Sequence, residues 1–374
     1  MKPFDVYPLY PIEPVKAQGC YLWDKEGKQY LDLYGGHAVI SIGHSHPRYV
    51  SRISDQLQQL GFYSNSVQNP LQTELAEQLG KISGYEDYQL FLCSSGAEAN
   101  ENALKITSFH TNRSKILAVS GAFHGRTSGV VAATDNPKIV APYNADHDVE
   151  FIPFNDLEAL ESVFSEEVAA IIIEGVQGVA GVYSPTQEFL TKAQALCQSF
   201  GALLILDEVQ SGAGRTGKYF AHQHFDVAPD IITLAKGMGN GFPVASALIH
   251  PKIKPWAGML GTTFGGNHLA CSAALAVLEI TEEEKLMQNA TIIGRYAKEQ
   301  LELIDEVKEV RGEGLMLGAS FDFPIAELRK KLLMVHQVFT GSAANKNTLR
   351  ILPPLNIQKE HIDHFITQLK KVLS

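Results

Sequence analysis

Directly after the apolar run QLFLC the chain reads Ser94-Ser95-Gly96-Ala97-Glu98-Ala99-Asn100. A turn of small residues leading from a strand into a helix leaves backbone N–H groups free at the positive end of the helix dipole. Such a cup suits a phosphate, although an ordinary strand-to-helix connection has the same look. Asp207 closes a second apolar run, LLILD. In an open parallel sheet the carboxyl ends of the strands border the ligand crevice. A carboxylate placed there needs a partner, such as a protonated ring nitrogen; a helix cap or a structural ion pair would equally occupy it. Lys236 follows a third run, DIITLA, and precedes Gly237-Met238-Gly239. Partial loss of solvent would lower the pKa of its amine and make it a usable nucleophile toward a carbonyl carbon. A solvent-facing lysine in a glycine loop would have no such property.

These residues need a sheet to hold them. The runs Gln89–Leu92, Lys115–Val119, Ala169–Glu174, Ala202–Asp207 and Asp230–Leu234 read as strands, separated by longer stretches of helical spacing. That alternation marks an α/β fold around a largely parallel sheet. AAIIIE and ALLILDE are continuous rather than alternating, as central strands covered on both faces should be. Pro185–Phe200 has the spacing of a crossover helix. Near the N-terminus, Tyr21–Asp24 and Gln29–Leu33 flank Lys25-Glu26-Gly27-Lys28 in the manner of a hairpin. A long helical pattern begins after residue 266. The expected organisation is a central α/β domain over 46–265, with 1–45 and 266–374 forming a smaller α+β domain from both termini.

Composition narrows the field. The 374 residues suggest two or three domains at roughly 150 residues each. A hydrophobic content of 45% with 19% charged residues fits a folded chain rather than a disordered one. Against 31 Lys and Arg stand 41 Asp and Glu, a net charge of −10, which gives no footprint for binding nucleic acid. No apolar run approaches a membrane span, and the proline-broken start MKPFDVYPLYPIEP is unlike a secretory leader. The four cysteines lack metal-type spacing and read as reduced core thiols, so a cytoplasmic location is expected.

A phosphate cup, a strand-end Asp and a strand-end Lys, in that order on a parallel sheet, meet the needs of pyridoxal 5′-phosphate. The cup takes the phosphate, Asp207 pairs with the ring nitrogen and Lys236 bonds the aldehyde carbon. The strings SGAEANENALK, AFHGRT, LDEVQSGAGRTG, PDIITLAKGMGNGFP, GTTFGGNHLACSAAL and RGEGLMLG resemble those of class III aminotransferases, in family order from about Tyr21 to Ile357. Within the class they are most similar to the acetylornithine (N-acylornithine) aminotransferases.

The resemblance implies the fold-type-I pyridoxal-phosphate transferase architecture, with a mostly parallel central sheet sandwiched by helices. It also implies a homodimer with shared active sites. Lys236 matches the Schiff-base lysine and Asp207 the ring-nitrogen acid; Ser95, Gly96 and Ala97 match the phosphate cup. Phe123 matches the stacking aromatic and Gln210 a partner of the phenolic oxygen. Thr263 matches a phosphate ligand from the neighbouring subunit, with Thr262 beside the substrate. Arg126 matches the grip on the substrate α-carboxylate, a task for which the planar guanidinium fork is well shaped. The implied reaction moves the terminal amine of an N-acylated ornithine to 2-oxoglutarate, in arginine biosynthesis. Ornithine or 4-aminobutyrate aminotransferase is the alternative, and a non-catalytic cofactor-binding protein the outsider.

Three other signals have plainer explanations. Gly212-Ala-Gly214-Arg-Thr-Gly217 fits G-x-G-x-x-G, but no convincing helix follows it, as a dinucleotide fingerprint requires. His44-Ser-His46 lacks a third metal ligand and reads as a loop before a helix starting near Pro47. Glu282-Glu283-Glu284 reads as a solvated helix start favoured by the dipole. One departure from the resemblance has consequences. Relatives usually read E-P-x-Q-G-E where this chain reads Glu174-Gly175-Val176-Gln177-Gly178-Val179. The glutamate that can pair with the residue matching Arg350 is therefore Val179. Arg350 is expected to present an unpaired charge to the pocket and to favour a substrate carrying a distal carboxylate, N-succinylornithine over N-acetylornithine. A nearby acid or water satisfying Arg350 is the competing expectation.

Overall fold

The computed structural model describes residues 1–374. Seven strands form the central sheet in the order Gln89–Cys93, Ala245–Ile249, Ile231–Leu234, Leu203–Asp207, Val168–Glu174, Lys115–Val119, Val149–Ile152. All pairings are parallel except those of Ala245–Ile249, which runs antiparallel to both of its neighbours. The five strands expected from apolar runs are present, with ends shifted by a residue at most. Val168–Glu174 is buried at every position. Its alternate residues supply two separate cores: Ile171 and Ile173 pack with Phe189, Leu190 and Ala193 of helix Gln187–Phe200, whereas Ala170 and Ile172 pack with Ala103 and Ile106 of helix Gly96–Thr111. A strand covered on both faces has no solvent side to mark with polar residues, which is why it reads as an unbroken apolar run.

Two four-stranded sheets lie outside this layer. In one, Pro14–Gln18, Tyr21–Asp24 and Gln29–Asp32 form an antiparallel meander, to which Val338–Phe339 adds in parallel with Val338 opposite Leu31. The other holds Glu309–Glu313, Met316–Ser320, Thr348–Ile351 and Gly341–Ser342. A cluster of 29 buried residues joins Leu31 and Leu33 to Leu286, Ala290 and Ala297 of helix Leu286–Glu302 and to Ile362, Phe365 and Leu369 of helix Lys359–Leu373. All four cysteines are buried and unpaired. No helix is long and apolar enough to cross a membrane.

The glycine string Gly212–Gly217 forms turns rather than a helix start. Arg215 within it is 2% exposed and donates to the carbonyls of Ile40, Leu315 and Pro353, so it ties three segments together. The acidic run stands at a helix end, not at the helix start expected from the sequence. Glu282 and Glu283 end helix His268–Glu283 instead of beginning one, the unfavourable pole for an acid. Arg48, at the start of helix Pro47–Gln59, offsets this by pairing with Glu283, and the neighbouring His46 shares a hydrogen bond with Glu284 at 2.9 Å.

Candidate active site

Asp207, Lys236 and the N-terminus of helix Gly96–Thr111 meet at one rim of the central sheet, around a cavity of about 390 Å³. Its walls include Ser95, Gly96, Ala97, Phe123, Arg126, Asp207, Gln210 and Lys236. The strand Gln89–Cys93 runs straight into the helix, and Ser95 caps it by accepting from Glu98 N at 3.2 Å, while the Glu98 carboxylate accepts from Ser94 N at 2.8 Å. Neither the Gly96 nor the Ala97 N–H has a partner in the chain. A Cβ on Gly96 would stand 2.6 Å from Val209 Cγ1, so a side chain here would push the helix end off the strand end beside it.

Asp207 ends strand Leu203–Asp207 at 4% exposure. Three donors converge on its carboxylate: Asn100 Nδ2 and His124 Nδ1, each 2.7 Å from Oδ2, and Val209 N, 2.9 Å from Oδ1. Glu174 lies opposite it on the adjacent strand, accepting from Phe123 N at 2.9 Å. Burial, with the neighbouring Asp207 charge, pushes the Glu174 carboxyl up to about 7, against the pull of His124. Lys236 follows strand Ile231–Leu234 and has φ +47, a left-handed conformation that costs a non-glycine residue about 1 kcal/mol or more. Strain of this kind persists where the surrounding structure imposes it. The Lys236 amine has no partner; burial pulls its pKa below that of an ordinary lysine, opposed by Asp207 and Glu174.

The remaining expected residues are placed less uniformly. Phe123 lines the cavity, and Arg126 stands on its rim, exposed and unpaired. Gln210 also lines it, but its amide is engaged, donating to His37 O at 3.2 Å and accepting from Arg350 at 3.3 Å. Arg350 does not present its charge to the cavity as expected. It is 4% exposed, behind Gln210, and donates from Nε to Ser342 O at 2.5 Å. No carboxylate pairs with it, and burial lowers its pKa. Val179 does line the cavity. Thr262 and Thr263 are not among the walls formed by this chain. Sequence reasoning missed Asn100 and His124, which bond the Asp207 carboxylate, and Thr233, which bonds Asn100. One signal was available, because Asn100 sits among Ala99, Ala103 and Ile106 on the buried face of its helix.

The residues fit pyridoxal phosphate. Free helix-terminal N–H groups face the same cavity as an unpartnered amine and a buried carboxylate, and His124 Nε2 is a buried nitrogen with no partner in the chain. Fold and cavity together are those of the fold-type-I transferases that use this cofactor. The aminotransferase class-III family matches residues 5–373. The acetylornithine aminotransferase of Archaeoglobus fulgidus is 42% identical over 93% of this chain and 92% of its own length. That of Methanocaldococcus jannaschii is 39% identical over 99% and 95%. Among solved structures, the ornithine aminotransferase of Toxoplasma gondii superimposes with a TM-score of 0.92 at 28% identity, over 99% of this chain and 92% of that one. The chain belongs to the class III aminotransferases.

Proposed function

We propose that this aminotransferase moves the terminal amine of an N-acylated ornithine to 2-oxoglutarate, as a step of arginine biosynthesis in the cytoplasm. The observation that carries the reading is the unpartnered, desolvated Lys236 amine in one cavity with Asp207 and the free N–H groups of Gly96 and Ala97. The near full-length likeness to acetylornithine aminotransferases supports the substrate. Pyridoxal phosphate, when bound, supplies an aldehyde to receive the amine and a ring that accepts electrons from the reacting carbon. Gly96 and Ala97 would hold its phosphate, and Phe123 would lie against its ring. Asp207 would keep its ring nitrogen protonated. Lys236 would hold it at rest and, once displaced by the donor amine, move a proton at the substrate carbon. Arg126 is the free cation on the rim for a substrate carboxylate.

We further assign the site to a homodimer, with Thr263 of one protomer completing the phosphate site of the other and Thr262 beside the substrate. The smaller domain is built from residues 1–45 and 266–374, in keeping with the core shared by both ends. Borohydride reduction of the holoenzyme tests the central assignment. The cofactor should be fixed to the peptide containing Lys236, and Lys236→Ala should abolish turnover while leaving a folded protein. Label on any other lysine would overturn it.

A further inference from the structure

Behind the cavity a run of buried polar groups leads from Thr233 to Asp207 through Asn100, a residue for which no role has been assigned. Asn100 is fully buried in helix Gly96–Thr111. It donates from Nδ2 to His124 O at 2.8 Å and to Asp207 Oδ2 at 2.7 Å, and accepts at Oδ1 from the Thr233 hydroxyl at 2.5 Å. The orientation of the amide is fixed by chemistry. A backbone carbonyl can only accept, so the atom facing His124 O is the nitrogen, and Oδ1 is left to Thr233, whose hydroxyl must donate. Each of the three residues comes from a different element: Thr233 from a central strand, Asn100 from the helix and His124 from the loop after Lys115–Val119.

A carboxylate has about four acceptor positions, two on each oxygen. On Asp207, Oδ2 is filled by Asn100 and His124, and Oδ1 carries only the Val209 N–H. One position on Oδ1 remains, on a residue that borders the cavity. We infer that Asn100, locked by Thr233, is a positioning residue that with His124 saturates Oδ2 of Asp207 and so turns its one open acceptor position toward the ring nitrogen of the cofactor. This rests on the reading of Asp207 given above. Without Asn100 the carboxylate would lose one charge-assisted bond and could rotate about its terminal torsion, where no sharp rotamer well holds it.

The test reconstitutes the protein with pyridoxal phosphate labelled with 15N in the ring. It reads the ring-nitrogen chemical shift, which reports protonation, and the affinity of the cofactor-free protein for the cofactor. Asn100→Leu should move the shift toward the unprotonated value and weaken binding about ten- to a hundredfold. Thr233→Val should act in the same direction, by about tenfold or less, and Thr233→Ser, which keeps the hydroxyl, should match the unaltered protein. The inference is overturned if Thr233→Val and Thr233→Ser behave alike, a comparison that decides the matter even if Asn100→Leu fails to fold. It is also overturned if folded Asn100→Leu keeps the shift and affinity. Asp207→Asn separates the two levels. If it too leaves the shift in place, the reading of Asp207 falls and takes the inference with it; if it alone moves the shift, only the role of Asn100 falls.

Discussion

Glu174 and Asp207 face each other across adjacent parallel strands, yet only Asp207 is ringed by donors; Glu174 has one backbone N–H. With its carboxyl raised from an ordinary 4.5 to about 7, Glu174 binds a proton in the folded chain that the unfolded chain has already released across that window. The folded state therefore loses stability as pH rises from about 4.5 to about 7, by at most about 1.4 kcal/mol per pH unit from this group. Denaturation of the cofactor-free protein at a series of pH values should show the decline, and Glu174→Gln should flatten it. An unchanged slope in the variant would assign the titration elsewhere. Arg350 poses a second question at the same scale. Its guanidinium is buried without a carboxylate, and such a cation is unfavourable unless something anionic reaches it. N-succinylornithine carries a distal carboxylate and N-acetylornithine does not. If that carboxylate displaces the Gln210 amide and reaches Arg350, a charge-assisted bond of roughly 1.5–3 kcal/mol should raise kcat/KM for the succinyl donor about tenfold or more, with free ornithine poorer than both. Equal use of the acetyl donor would refute this, as would a preference that survives Arg350→Ala.

Among the elements, the junction of strand Gln89–Cys93 with helix Gly96–Thr111 has the least freedom. Gly96→Ala sets a methyl group against Val209 Cγ1, a branched side chain with few rotamers, and should shift the helix end outward. We expect about tenfold weaker cofactor binding, measured by absorbance titration of the cofactor-free variant, together with a loss of about 1–3 kcal/mol in stability, measured by denaturation. Unaltered affinity would remove Gly96 from the phosphate site. The strands that end at this rim were legible in the sequence because continuous apolar runs have few other uses. Two strands of the central sheet were not. Val149–Ile152 reads VEFI, a short edge strand with an acid inside it, and Ala245–Ile249 reads ASALI, whose small residues declare no period. The acidic run misled for a related reason. Its position at a helix end depends on Arg48, which arrives from a helix more than two hundred residues earlier in the chain. Within the site, Lys236 and Asp207 were readable from their places after apolar strands. The burial of Arg350 behind Gln210 was not, because it follows from a contact between segments distant in sequence.

At the scale of the whole molecule, the cavity of one chain is missing two of the residues expected to complete it. Thr262 and Thr263 lie outside its walls, next to an exposed Phe264 that packs on a less exposed Phe62. If a second protomer brings Thr263 to the phosphate, mixing Lys236→Ala subunits with Thr263→Val subunits should restore activity, because one site in each hybrid dimer has both residues intact. Silence after verified subunit exchange would mean a site contained in one chain. The antiparallel strand has a consequence of another kind, for the order in which the protein comes into being. Gln89–Cys93 has a single neighbour in the sheet, Ala245–Ile249. As the nascent chain emerges, the strand that leads into helix Gly96–Thr111 must wait, unpaired and apolar, while everything between residues 94 and 244 is synthesised. Distant pairings close slowly, and a waiting edge is open to the wrong partner. Phe242–Val244, which lead into that late strand, are also cavity walls. The pocket can close only after the stretch that delivers the missing neighbour has left the ribosome.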